Sequence, residues 1–98
     1  MKTYSTADLG RCRERIDEID FHIVELLNER TVVVEEIGNI KQRLGLEVYE
    51  PKREEQIFAN IRLHNKGPLP DDALKRVFER IIDEMRTVQK TKMQNQKC

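Results

Sequence analysis

Five polar side chains stand on or beside stripes that are otherwise apolar: Arg30, Lys41, Arg53, Glu54 and Gln89. Arg30 falls in a heptad-spaced series in which its neighbours are Ile23 and Ile37. Lys41 lies eleven residues beyond Arg30. On a helix that is three turns plus about 20°, so the two cations share a face about 16 Å apart along the axis. Long basic side chains can converge on one small ligand from that separation. Arg13 sits beside the same seam, about 25 Å from Arg30 and about 42 Å from Lys41 at helical rise. It cannot join them within one chain, but an antiparallel partner helix would bring it there. Arg53 and Glu54 continue, one turn upstream, the stripe of Ile57, Phe58 and Ile61. Gln89 extends the face of Leu74, Val77, Phe78, Ile81, Ile82 and Met85.

Taken singly, each cation reads as a solvated or paired charge, and Gln89 as an exposed residue near a helix end. Glu54 suits the dipole of a charged first turn, whereas Arg53 does not and needs another reason. Taken together with Arg13, the set holds four cations against one carboxylate, a net of about +3 in largely apolar surroundings. Unpaired buried charge is costly, so such a site should take an anion. Arginine's fork of donors suits carboxylates, and a compact dianion fits best.

The elements that must position these groups follow from sparse punctuation. Ser5 and Thr6, with Asp8 and Asp17 early in the run, mark a helix start. The run meets no proline before Gly45, a helix stop. Residues 45–50 form a short loop, and Pro51 suits the first turn of a second helix that runs to about 65. Gly67-Pro68-Leu69-Pro70 is a turn, after which Asp71 or Asp72 caps a third helix reaching about Lys90. The tail 91–98 reads as polar and frayed. Helices over about 6–43, 51–65 and 71–90 make the fold all-α, a single domain over 1–98, with no strand pattern of period two.

The first helix carries a seam of Leu9, Ile16, Ile23, Arg30, Ile37 and Leu44, interleaved with Cys12, Ile19, Leu26, Val33 and Ile40. That is the pattern of a packed helical interface. Gly10 and Gly38 lie off it, and Gly38 weakens the helix interior by about 1 kcal/mol relative to Ala. At 1.5 Å per residue the helix is about 55 Å long, against a radius of gyration of about 13 Å for a compact chain of this length. Two shorter helices cannot cover its whole seam. An intertwined two-fold dimer is the expected answer.

Composition narrows the function classes. The 98 residues are 38% hydrophobic and 37% charged, with no Trp, thin material for a monomeric core. Eighteen basic and eighteen acidic residues balance to zero net charge, and no basic run indicates nucleic acid as a partner. No apolar stretch approaches the roughly 20 residues that span a bilayer, and the polar N-terminus has no secretory pattern. Cys12, Cys98, His22 and His64 lack the close pairing of a zinc site or a disulfide framework. The expectation is a cytoplasmic protein without metal, cofactor, nucleic-acid or membrane partner, free-standing to judge by its first Met and polar tail.

The ordered segments Arg13-x-x-Ile16-x-x-x-Asp20, Leu27-Asn28-Glu29-Arg30, Ile37-Gly38-x-x-Lys41 and Tyr49-Glu50-Pro51-x-Arg53-Glu54 resemble the all-helical chorismate mutases over about residues 6–90. The resemblance implies the rearrangement of chorismate to prephenate, a step toward phenylalanine and tyrosine, in an intertwined homodimer with two equivalent sites. It implies that Arg13 reaches a substrate carboxylate from the partner chain and that Arg30 binds carboxylates within its own chain. Lys41 and Gln89 would donate to the ether oxygen. Glu54 would accept from the ring hydroxyl with Glu50 nearby, and Arg53 would complete the wall. Glu50 stands where some members have Asp, and Met85 where some have a small polar residue. The reaction is unimolecular and pericyclic. It needs a held conformer and stabilised negative charge on oxygen, not a nucleophile, metal or general base. An isochorismate-pyruvate lyase would share the fold and most of the cationic site. A regulatory or purely structural helical dimer would share the seam. Family members also occur fused to, and so associate with, other enzymes of aromatic biosynthesis.

Overall fold

The computed structural model describes residues 3–95, which form three helices and no strand: α1 Thr6–Leu44, α2 Pro51–His64 and α3 Asp71–Asn95. Each boundary has a local cause. The Ser5 backbone N–H donates to Asp8 Oδ2 at 2.8 Å, and the Asp8 N–H donates back to Ser5 Oγ at 3.3 Å. This reciprocal pair satisfies two N–H groups that the helix itself cannot. At the other end Gly45 adopts φ 69°, the left-handed region. Leu46 N–H donates to Lys41 O at 2.8 Å and Gly45 N–H to Gln42 O at 3.3 Å, the paired bonds of a Schellman stop. Pro51 opens α2, where its missing N–H is not needed. Asn65 then organises the turn into α3. Its side chain donates to Leu69 O at 2.9 Å and to Asp71 Oδ1 at 2.7 Å, and accepts from Gly67 N–H at 3.0 Å.

Two ends of α3 differ from expectation. Leu74 N–H donates to Pro70 O at 3.0 Å, so Pro70 precedes the helix, and Asp71 and Asp72 lie inside its first turn rather than at the cap. There they favour the helix through its dipole. At the C-terminus α3 passes Lys90 and continues to Asn95. Thr91, Lys92 and Met93 contain no breaker, and Lys92 suits the negative end of the dipole. Residues 96–98 of the expected tail lie outside the described residues.

The chain divides within α1 into two compact units, at Val32/Val33. The first unit is helical from Thr6 onward, and its apolar residues Leu9, Ile16, Ile23 and Leu26 are exposed. The second unit holds the end of α1 together with α2 and α3. There α2 packs on α3, with Phe58 and Ile61 beside Leu74 and the Lys75 ammonium 5.6 Å from the Phe58 ring centre. Val34 from α1 and Ile82 and Met85 from α3 are the buried apolar side chains among the described residues. Val34, Gly38 and Lys41 are the buried residues of α1, at a spacing of four and then three, which keeps one helix face inward. The seam residues Val33, Ile37, Ile40 and Leu44 remain exposed. No helix of the described residues is long and apolar enough to cross a membrane.

Candidate active site

Three local decisions build the site. At Gly38 α1 passes close to α3: a Cβ there would meet Gln89 Cα, Cγ and O at 3.7 Å, ordinary contact distance. One turn later Lys41 faces the same neighbour. The Schellman stop then returns the chain over the end of α1, so that Val48 and Glu50 of the loop meet Lys41 as well.

Lys41 is 5% exposed and Gln89 9%. The Lys41 ammonium donates to Gln89 Oε1 at 3.0 Å and to the Val48 carbonyl at 3.0 Å, and it pairs with Glu50 Oε1 at 2.6 Å. An ammonium has three N–H donors and no acceptor. Its complement is therefore met by one amide oxygen, one backbone oxygen and one carboxylate. Glu50 is the outermost of these acceptors, with 49% side-chain exposure. Because Lys41 can only donate, it fixes which way the Gln89 amide is turned. The oxygen faces the ammonium, and the Nε2 hydrogens are left to donate elsewhere.

Beside this cluster lies a second one. Glu54 Oε2, on the first turn of α2, accepts from Arg86 Nη2 on α3. The Arg86 guanidinium lies over the Tyr49 ring, 5.1 Å from its centre, and its Nη1 reaches Asp83 Oδ1 at 3.5 Å. The Glu54 hydrogen bond raises the Arg86 pKa further above its ordinary value, the nearby carboxylates of Glu54 and Asp83 add to this, and partial burial works against it. The pair is half-buried on both sides.

The structure thus brings together Lys41, Gln89 and Glu50, and places Glu54 in a separate pair. Arg53 is exposed on α2. Arg30 is half-buried and Arg13 exposed, both on the unit that ends at Val32. The sequence reading missed Arg86, Tyr49 and the Val48 carbonyl. Arg86 had a signal: it lies four residues after Ile82, at the edge of the buried face of α3. The Val48 contact had none, since a backbone oxygen leaves no trace in side-chain pattern. Met85 is buried. Among the described residues no group of His, Cys, Asp or Glu is arranged to hold a metal ion.

A fixed cation on α1, an amide donor on α3 and a braced carboxylate on α2 can hold an oxygen-rich anion and stabilise charge appearing on one of its oxygens. Residues 12–90 match the family model of chorismate mutase type II. The chain belongs to that family. A chorismate mutase of Methanocaldococcus jannaschii is 32% identical over 83 residues, which is 84% of this chain and 84% of that protein. A chorismate mutase structure from Thermus thermophilus superimposes with a TM-score of 0.82 at 34% identity, covering 84% of this chain and 93% of the other. A bifunctional chorismate mutase/prephenate dehydratase of Aquifex aeolicus is 37% identical over 87 residues, 85% of this chain. This chain spans about a quarter of that longer relative's length, 24%. In this family the all-helical architecture is the expected one, and the sequence segments around Arg13, Arg30, Lys41 and Glu54 all lie inside the matched range.

Proposed function

We propose that this protein is a chorismate mutase, an isomerase that converts chorismate to prephenate, and that it works as a homodimer. The observation that carries the reading is the buried Lys41 ammonium beside the Gln89 amide. In the rearrangement the C–O bond of the enol ether breaks as a C–C bond forms within the same molecule. Negative charge grows on the ether oxygen in the transition state. Lys41 Nζ and Gln89 Nε2 are the donors for that oxygen. Both are held before substrate arrives, so little reorganisation opposes the reaction. A substrate oxygen reaches Lys41 by exchanging with one of its three acceptors, and the outermost, Glu50, is the one to give way. Glu54 accepts from the ring hydroxyl. Arg13 and Arg30 bind the carboxylates, Arg13 from the partner chain, and Arg53 lines the wall. Together these contacts favour the compact conformer that reacts.

The dimer reading rests on the open seam. Leu9, Ile16 and Leu26 are 50, 55 and 61% exposed, and Val33 and Leu44 are 58 and 66% exposed. Exposed apolar residues of this kind mark a surface meant to be covered, and their heptad spacing suits a second helix. On this reading the chain acts as a single helical domain in the cytoplasm, and its product passes to an enzyme that consumes prephenate, an activity that the bifunctional relatives carry in the same polypeptide.

The test is to offer purified protein chorismate and, separately, isochorismate, to follow substrate loss by absorbance and to identify the product. Prephenate from chorismate supports the reading, whereas salicylate with pyruvate from isochorismate, with chorismate left untouched, assigns the lyase reaction instead. Neither substrate consumed at micromolar enzyme sinks both. Sedimentation of the same sample should give a particle of twice the 11.6 kDa chain mass.

A further inference from the structure

We infer that Arg86 is a positioning residue for the substrate-binding carboxylate Glu54, held to that task by the Tyr49 ring. The inference rests on the chorismate mutase reading above. It begins with a problem of geometry. A glutamate in the first turn of a helix has three rotatable side-chain bonds and tends to point to water. Glu54 nevertheless has only 23% side-chain exposure, and its Oε2 is bound by Arg86 Nη2 across the α2–α3 contact. A carboxylate has two oxygens with about four acceptor sites between them. With Oε2 turned to Arg86, Oε1 is left at a set position to accept from a substrate hydroxyl. A carboxylate fixed in this way loses less freedom when substrate binds.

Arg86 is itself held from two further sides. Its guanidinium lies 5.1 Å from the centre of the Tyr49 ring, within cation–π range. Its Nη1 faces Asp83 Oδ1 at 3.5 Å, one turn back on the same helix. Tyr49 also lies between Val48 and Glu50, the two loop residues that meet Lys41. The brace on Glu54 and the acceptors of Lys41 therefore share one short loop. Arg86 needs no contact with substrate in this scheme. It acts through Glu54, and that is what separates it from a substrate-binding cation.

The full-length protein carrying E54Q, R86Q, R86K, Y49L and the double change E54Q/R86Q is assayed for kcat and KM with chorismate, each variant checked by circular dichroism. A hydroxyl contact made alike in substrate and transition state is lost mainly in KM. R86Q should therefore raise KM about tenfold and leave kcat within about threefold, in the same direction as E54Q. The double variant should be no more than about twofold worse than E54Q alone, because the two residues act in series. R86K, which keeps a cation for Glu54 but loses the flat guanidinium over Tyr49, should recover only part of the loss. Y49L leaves the ion pair in place and should raise KM about threefold, which tests the brace even if R86Q does not fold. If the losses of E54Q and R86Q multiply in the double variant, Arg86 acts on substrate directly and the inference is overturned. It is also overturned if E54Q, or a folded R86Q, leaves KM unchanged, or if R86Q unfolds and Y49L leaves KM unchanged. A wild-type protein that leaves chorismate untouched removes the mutase reading and this inference together. A wild-type protein that turns over while R86Q matches it removes the inference alone.

Discussion

Replacing Lys41 with methionine keeps the unbranched stem and removes every polar contact of the ammonium. The structure sets the size of both consequences. In the mutase reading Lys41 is a donor to the ether oxygen, already fixed by bonds of 3.0 Å to Gln89 Oε1 and the Val48 carbonyl. One such preorganised donor at a developing oxyanion contributes about 3–4 kcal/mol, or roughly several hundredfold in kcat. Methionine also releases the Gln89 amide to turn over, so the second donor is disturbed as well. For stability, Gln89 Oε1 loses its partner in a buried place, at a cost of about 1–3 kcal/mol. The Val48 carbonyl and Glu50 lie nearer to solvent and can be rehydrated. Relief from holding an ammonium out of water opposes the loss. The balance is a destabilisation of about 1–2 kcal/mol, a fall in Tm of roughly 5–10 °C. The assay is the initial rate of chorismate loss with protein from a host that lacks its own mutase, beside a thermal melt followed by circular dichroism. A K41M protein that is folded at the assay temperature and keeps kcat within about tenfold of wild type would refute the role given to Lys41.

Further changes probe other contacts. E50Q weakens the 2.6 Å pairing with Lys41 but leaves the two other acceptors. It should lower kcat/KM by no more than about tenfold and change stability by less than about 1 kcal/mol, since the Glu50 end of the pair is half exposed. G38A places a Cβ at ordinary contact distance, 3.7 Å from Gln89. It should raise stability by up to about 1 kcal/mol, read as a higher Tm, with activity unchanged. If Arg13 serves the partner's site, unfolding and refolding an equal mixture of inactive R13A and K41M chains should restore about a quarter of wild-type activity, because half the dimers are mixed and one of their two sites is intact. No recovery in a mixture shown to contain mixed dimers would place Arg13 elsewhere.

Much of this was legible in the sequence because it is written in local rules. Ser5 with Asp8, Gly45 and Pro51 fix helix ends through bonds that involve only their neighbours. Lys41 and Gln89 are linked through the family resemblance, since Gln89 by itself reads as an exposed residue near a helix end. Gly38 had no evident purpose in the sequence, and a Cβ there would only make ordinary contact with Gln89. Arg86 was not legible as a site residue. An arginine at the edge of an amphipathic helix reads as a surface charge until the partner on α2 is known. The count of charges leaves out two groups, Glu50 beside Lys41 and Arg86 beside Glu54; they are of opposite sign, so the sum is unchanged and only the pairing is new. The apolar seam of α1 is exposed, and the chain's own buried face uses Val34, Gly38 and Lys41 instead. Two adjacent faces of one helix can serve different neighbours, and periodicity alone does not say which face meets which.

The link between α1 and α2 has a consequence for how this protein can vary. Consecutive residues of the link address different ends of the site: the Val48 carbonyl and Glu50 turn to Lys41, and Tyr49 between them turns to Arg86. Adding or deleting one residue there would exchange these directions, presenting an aromatic ring to the ammonium and a carboxylate to the guanidinium's flat side. That stretch should therefore be rigid in length across functional variants. The turn at 65–70, which serves only its own helix ends, should accept insertions and offers the better point for attaching a second module.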